Sequence, residues 1–190
     1  RGCGLGSIGT LVVIIIFWLM GGNPLQLLGL LESSSSGGSE YTQSYKPTAE
    51  QDSLARFVSV VLADTEDVWT SVFNEMGRSY RKPTLVLFTG YTTSACGTAQ
   101  SSTGPFYCSE DERIYVDLSF FNQMATQLNA GGDFAYAYLI AHEVGHHVQK
   151  LLGTLEQAHS QMCRMGEADA DRISVRLELQ ADFYAGLWAN

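Results

Sequence analysis

The stretch His142-Glu143-Val144-Gly145-His146-His147 decides how the rest of the chain is read. It has the form H-E-x-x-H and lies in a segment whose pattern predicts helix from Asp133 to about Leu152. A helix turns about 100° per residue, so His142 and His146 stand one above the other on one face. Two imidazoles so placed can bind one Zn²⁺. Glu143, beside the first, can then take a proton from a metal-bound water. A five-residue motif also recurs by chance in amphipathic helices, so its meaning depends on context.

A zinc peptidase site takes a third protein ligand and leaves a fourth position for water. Arg176-Leu177-Glu178-Leu179-Gln180-Ala181-Asp182 offers that ligand, in a segment that reads as helix from about Glu167 to Trp188. Glu178 and Asp182 are four apart and share a face. Glu178 can bind the metal. Asp182 can accept a hydrogen bond from the free ring nitrogen of a liganding His and so fix its orientation. Two acids alone read as a solvated face, but Leu177, Leu179, Ala181 and Phe183 surround these with apolar groups. Acids in such company are costly unless paired or metal-bound. Glycine inside a helix costs about 1 kcal/mol against alanine, so Gly145 predicts another backbone close beside His146. His147 reads as packing or solvent-facing. His159 is a weaker choice for stabilising an oxyanion and reads as a surface histidine. Tyr184, Arg172 and Arg176 are further helpers without specific support.

Working outward, Thr48 and Gln51 form the pattern of a capping box. Behind them Leu54, Phe57, Val58, Val61, Leu62, Val68, Trp69, Val72, Phe73 and Met76 keep a 3.6-residue period, which predicts a long packing helix with a break near Asp64. Gly77 suits its end. Thr84 to Thr89 and Arg113 to Leu118 read as strands, and Phe106–Tyr107 as a short third. A long loop lies between the first two. Phe120 to Asn129 reads as helix, closed by Gly131-Gly132, and Asp133 is placed to cap the motif helix. The fold class is α+β: a mostly helical domain with a small sheet. Cys96 and Cys108 flank the long loop and can bridge it, which would contribute about 3 kcal/mol on the chain-entropy account; two free thiols are the alternative. The cysteines lack C-x-x-C spacing, so they predict no metal knuckle.

Toward the N-terminus, Leu5 to Gly22 (LGSIGTLVVIIIFWLMGG) is an uncharged run of 18 residues. At 1.5 Å per residue it is just long enough for a hydrocarbon core about 30 Å thick. Trp18 suits a membrane interface. Gly21-Gly22-Asn23-Pro24 is a helix stop rather than a cleavage site, which favours an uncleaved anchor over a signal peptide. Glu32 to Ser39 is a Ser/Gly-rich tether. The chain therefore divides into a membrane anchor and juxtamembrane segment (1–31), a linker (32–46) and a metallopeptidase domain (47–190). Arg1 in place of Met, and a helical pattern running to Asn190, predict continuation at both ends, the domain being truncated at its C-terminus. The 190 residues carry a net charge of −9 without an Arg/Lys-rich run, which argues against nucleic-acid binding. The expected placement is single-pass in a membrane, with the domain outside the cytoplasm, periplasmic or extracellular.

Several runs resemble the bacterial neutral zinc metallopeptidase family, membrane-anchored peptidases of the gluzincin type. They are Phe57 to Trp69, the Cys96 loop with Gly104-Pro105-Phe106-Tyr107-Cys108, Ile114 to Phe121, His142 to Gln149 and Ser174 to Ala189. The resemblance implies a zincin-like fold, with zinc ligands His142, His146 and Glu178, Glu143 as catalytic base, and a peptide or protein substrate. Phe183 stands where that family often has Cys. As in other zincins, substrate is expected to lie extended on an edge strand, here near Gly104 to Tyr107. The rival from another class is a catalytically silent, membrane-tethered zinc-binding interaction domain. A di-iron carboxylate site is disfavoured, because Ala181 rather than His follows Glu178 by three residues.

Overall fold

The computed structural model describes residues 48–100, 103–127 and 131–190. The expected anchor, Leu5 to Gly22, and the tether after it lie outside the described residues. No helix among the described residues is long and apolar enough to cross a membrane. The described fold is α+β and mostly helical, with two small sheets.

Helix α1 (Ala49–Glu75) starts at the expected capping box. The Gln51 amide N–H donates to Thr48 Oγ1 (3.2 Å), and the Thr48 N–H donates to Gln51 Oε1 (2.9 Å). The expected break near Asp64 does not occur. Val58, Val61, Leu62, Thr65, Trp69 and Phe73 form one unbroken buried stripe past it. The one hydroxyl in that stripe, Thr65 Oγ1, donates back to the Leu62 carbonyl at 2.7 Å. Asp64 itself accepts the Trp188 indole N–H. Gly77 (φ +69°) closes the helix as predicted.

Strand β1 (Thr84–Phe88) comes next. The predicted long loop then folds partly into a hairpin, β2 (Tyr91–Ser94) and β3 (Gly97–Gln100). Strands β4 (Phe106–Cys108) and β5 (Arg113–Asp117) complete the main sheet, in order β1-β5-β4. β1 pairs with β5 in parallel and β4 pairs with β5 antiparallel, so β4 is an edge. The strand expected to end at Leu118 ends at Asp117. Asp117 Oδ1 accepts from the Ser119 amide and hydroxyl, both at 2.7 Å, and starts helix α2 (Leu118–Gln127) two residues early. Helix α3 (Asp133–Leu152) carries the opening motif. Its cap is Gly132 (φ +128°), not Asp133, which makes no capping hydrogen bond and sits in the first turn. There its charge suits the positive end of the helix dipole.

Helices α4 (Thr154–Met162) and α5 (Glu167–Ala189) follow, with Gly153 in the left-handed conformation at the α3–α4 corner. The main core packs Ile114 and Val116 of β5 and Phe121 of α2 with the α1 stripe and with Leu139, Ile140, Val144 and Val148 of α3. A smaller cluster joins Leu155 and Ala158 of α4 to Leu177 of α5, with Tyr107 of β4 against it. Helix α3 is thus enclosed by elements from both ends of the described chain.

Candidate metal centre

Every residue of α3 from Leu139 to Gln149 is buried, including five that are polar or ionisable in water. His142, Glu143 and His146 expose 1 %, 2 % and 5 % of their surface, and Glu178 on α5 exposes 1 %. The helices meet where Gly145 faces Ala181. A Cβ on Gly145 would lie 2.8 Å from the Ala181 carbonyl oxygen and 2.9 Å from its Cα. The predicted close approach is therefore present, and Ala181 stands between Glu178 and Asp182 in the sequence. Only a bare Cα lets the second helix come near enough for its acids to reach the histidines.

The Nε2 atoms of His142 and His146 lie 3.3 Å and 3.5 Å from Glu178 Oε2. The rings meet edge to face with centroids 4.8 Å apart. One donor atom from each of His142, His146 and Glu178 falls within 4.8 Å of the others. Their other ring nitrogens are held from behind. His142 Nδ1–H donates to Asp182 Oδ1 at 2.7 Å, and Tyr138, one turn earlier on α3, donates its hydroxyl to the same oxygen at 3.0 Å. His146 Nδ1 meets Gln149 Oε1 at 2.9 Å.

Electrostatics follow from this packing. Burial alone would discharge His142, but its hydrogen bond to Asp182 and the nearby carboxylates of Glu178 and Glu143 outweigh burial and push its pKa up to about 10. For Glu178, burial raises the pKa, and the close approach of the His142 and His146 rings overrides it and brings it down to about 2. Glu143 is raised, chiefly by burial, against the pull of His146 and His142. The Tyr107 backbone N–H on β4 donates to its carboxylate and favours the ionised form.

The fit to a metal ion can be read from polar atoms that lack partners. Among the described residues eight buried side-chain N or O atoms make no hydrogen bond, and five of them are His142 Nε2, His146 Nε2, Glu143 Oε1 and both Glu178 carboxylate oxygens. Native proteins rarely leave such atoms orphaned, and a cluster of them asks for a missing partner. Two imidazoles and one carboxylate are a zinc donor set with room for a further ligand. The residues present fit the ion.

Other sequence candidates fall elsewhere. His147 is buried, not solvent-facing: its Nε2–H donates to the Arg81 carbonyl, and Tyr107 donates its hydroxyl to Nδ1 at 3.0 Å. His159 is half-buried on α4, and burial lowers its pKa. Arg172 and Arg176 are exposed, and Tyr184 packs edge-on against Trp69. Cys96 and Cys108 do form a disulfide, joining the hairpin turn to β4. Sequence reasoning missed Gln149 and Tyr107. For Gln149 a signal existed: it continues the face of Tyr138, His142 and Gly145 one turn further.

A buried His-His-Glu cradle with a second glutamate beside it, on two helices against a sheet edge, is a group that could hold a metal ion. The chain belongs to the family described as "Putative neutral zinc metallopeptidase", whose model matches residues 2–190. The Escherichia coli K12 protein YpfJ is 44 % identical over 182 residues, covering 96 % of this chain and 63 % of its own length. The Mycobacterium tuberculosis H37Rv protein Rv2575 is 43 % identical over 135 residues, 70 % of this chain and 44 % of that protein. This chain thus spans less than two thirds of the length of these relatives. No solved structure matches it.

Proposed function

We propose that this chain is the zinc-dependent core of a membrane-anchored metallopeptidase that hydrolyses peptide bonds. The observation that carries this reading is the convergence of partnerless buried donor atoms from His142, His146 and Glu178, with the Glu143 carboxylate beside them. Bound zinc supplies Lewis acidity, polarising the scissile carbonyl and making water acidic enough to attack near neutral pH. Glu143 takes the proton from the attacking water and delivers it to the leaving amine. Its burial suits both steps, because a carboxylate raised above its ordinary pKa is a better proton acceptor. Asp182 keeps the His142 ring turned with Nε2 toward the cradle. Strand β4 has β5 on one side only, and an extended peptide adds to its open side.

The run Leu5 to Gly22 anchors the protein, and the domain faces an oxidising compartment outside the cytoplasm. The Cys96–Cys108 disulfide supports that side of the membrane. Carbonate extraction and protease accessibility of intact cells test the placement; a protein released by carbonate would remove the anchor.

The chemistry is tested with Glu143→Gln. Zinc stoichiometry should stay at the parent value while cleavage of a broad peptide library falls about 10²–10⁴-fold. Undiminished cleavage would remove Glu143 from the mechanism. A parent chain that holds zinc and cleaves nothing in the library would instead be a tethered zinc-binding domain.

A further inference from the structure

Gln149 is fully buried on α3, one turn beyond His146, and every polar atom of its side chain is used. Its Nε2 donates to the Leu177 carbonyl at 2.7 Å and to Gln180 Oε1 at 3.1 Å, both on α5. Those acceptors fix which end of the amide is nitrogen. The oxygen is then left to accept from His146 Nδ1–H at 2.9 Å. With the proton on Nδ1, the lone pair of His146 is on Nε2, the atom facing Glu178. Leu177 directly precedes Glu178, so the same amide grips α5 beside the third donor. A main-chain carbonyl inside a helix already has its own helical partner. A buried side chain spent on a second bond to it therefore acts as a tie between two helices.

We infer that Gln149 is a positioning residue for the metal cradle, setting the imidazole of His146 through its oxygen and the approach of Glu178 through its nitrogen. This rests on the reading of His142, His146 and Glu178 as zinc ligands, but not on peptide hydrolysis. It also makes the supports of the two histidines unlike. Asp182 places a carboxylate behind His142 at the rim of the packing, with 14 % of its side chain exposed. Gln149 places a neutral amide behind His146 with no exposure. A carboxylate at the second place would add charge to a pocket that already holds Glu143 and Glu178, whereas an amide orients the ring without that cost.

The test uses the full chain, with Zn²⁺ as probe against a chromogenic chelator and proton NMR of the zinc-loaded protein. The parent should show two slowly exchanging imidazole Nδ1–H resonances, one for His142 on Asp182 and one for His146 on Gln149. Gln149→Met matches the shape and removes the hydrogen bonds. It should lose one of the two resonances and weaken zinc binding about 10–100-fold, the range usual for such outer-shell partners. Gln149→Glu keeps an oxygen toward His146 but cannot donate to Leu177 while ionised. It should keep both resonances and still bind zinc more weakly than the parent, which preserves the test if the Met variant fails to fold. Gln180→Ala, which removes one of two acceptors, should stay within about threefold, below that range. A Met variant that folds and binds zinc within about twofold of the parent, outside that range, overturns the inference. So does a parent with only one protected imidazole Nδ1–H, the Nε2–H that His147 donates to the Arg81 carbonyl being set aside. A parent that binds zinc but cleaves no peptide leaves it standing, while a parent that binds no zinc overturns it together with the metal reading.

Discussion

Helix α3 is gripped twice, and the two grips are built differently. Helix α5 holds it by close backbone contact at Gly145–Ala181 and by hydrogen bonds from His142 to Asp182 and from Gln149 to Leu177. Strand β4 is three residues long and holds α3 by hydrogen bonds from Tyr107, whose amide meets Glu143 and whose hydroxyl meets His147. The strand is itself fastened by three pairings to β5 and by the Cys96–Cys108 disulfide. The metal donors thus depend on extensive helix packing, and the acid beside them depends on a small element with a covalent staple. Perturbing each grip separately should therefore separate metal binding from the setting of Glu143.

The largest effect is expected where the α5 grip has no slack. Gly145→Val puts a branched side chain within 3 Å of main-chain atoms that cannot rotate away. The helices must part, at a cost of about 3 kcal/mol, the upper range for overpacking. The gain in helix propensity, roughly 0.5 kcal/mol, does not offset it. Urea unfolding of the metal-free chain should show that loss, and zinc affinity should fall with it because Glu178 is carried away. Unchanged stability and zinc affinity would mean that the close contact does not set the cradle.

The β4 grip should break the other way. Replacing Cys96 and Cys108 with Ala removes a cross-link between residues 12 apart. The loss should be about 3 kcal/mol, or somewhat less where the unfolded chain keeps structure. Zinc affinity should hardly move, since no donor lies on β4 or the hairpin. Loss of zinc binding comparable to that of Gly145→Val would show that the two grips are not separate.

The two grips were unequally legible in the sequence. The α5 side was readable because its chemistry repeats at helical spacing: His142 with His146, and Glu178 with Asp182, each four apart. Gly145 marked the contact because glycine is costly in a helix unless space demands it. Gln149 was missed although it continues the face of Tyr138, His142 and Gly145, because an amide has no charge to make its burial anomalous and one of its partners is a main-chain carbonyl. On the β4 side the short strand at Phe106–Tyr107 and the Cys96–Cys108 bridge were readable, but the way the strands pair was not. The parallel pairing of β1 with β5 joins Thr84 to Arg113 and depends on distant contacts. Thr92, Thr93 and Ser94 suit a loop as well as a hairpin. Asp117 ended its strand early through a capping bond to Ser119 that apolar alternation does not register. The break expected at Asp64 failed because one acid on the open side of a helix does not interrupt the buried stripe on the other.

The smallest expected effect per step is in pH, and it sharpens how the α5 grip behaves without metal. His142 has its pKa raised from 6.5 to about 10, burial being outweighed by Asp182 and Glu178. A group whose folded pKa lies above its unfolded value stabilises the fold fully below the unfolded pKa and loses that contribution as pH rises through the folded one. The metal-free chain should therefore lose stability from about pH 6.5 upward to about pH 10 on account of His142. Glu178 works oppositely. Its pKa is lowered from 4.5 to about 2, so its contribution is present above 4.5 and lost as pH falls toward 2. Zinc must displace the His142 proton, since a liganding imidazole is neutral. Between pH 7 and 9 affinity should then rise about tenfold per unit, with about one proton released per zinc bound. Calorimetric titration in buffers of different ionisation enthalpy counts that proton directly. A zinc affinity flat across this range would show that His142 is already neutral in the metal-free protein, and that Asp182 orients its ring without holding a charge upon it.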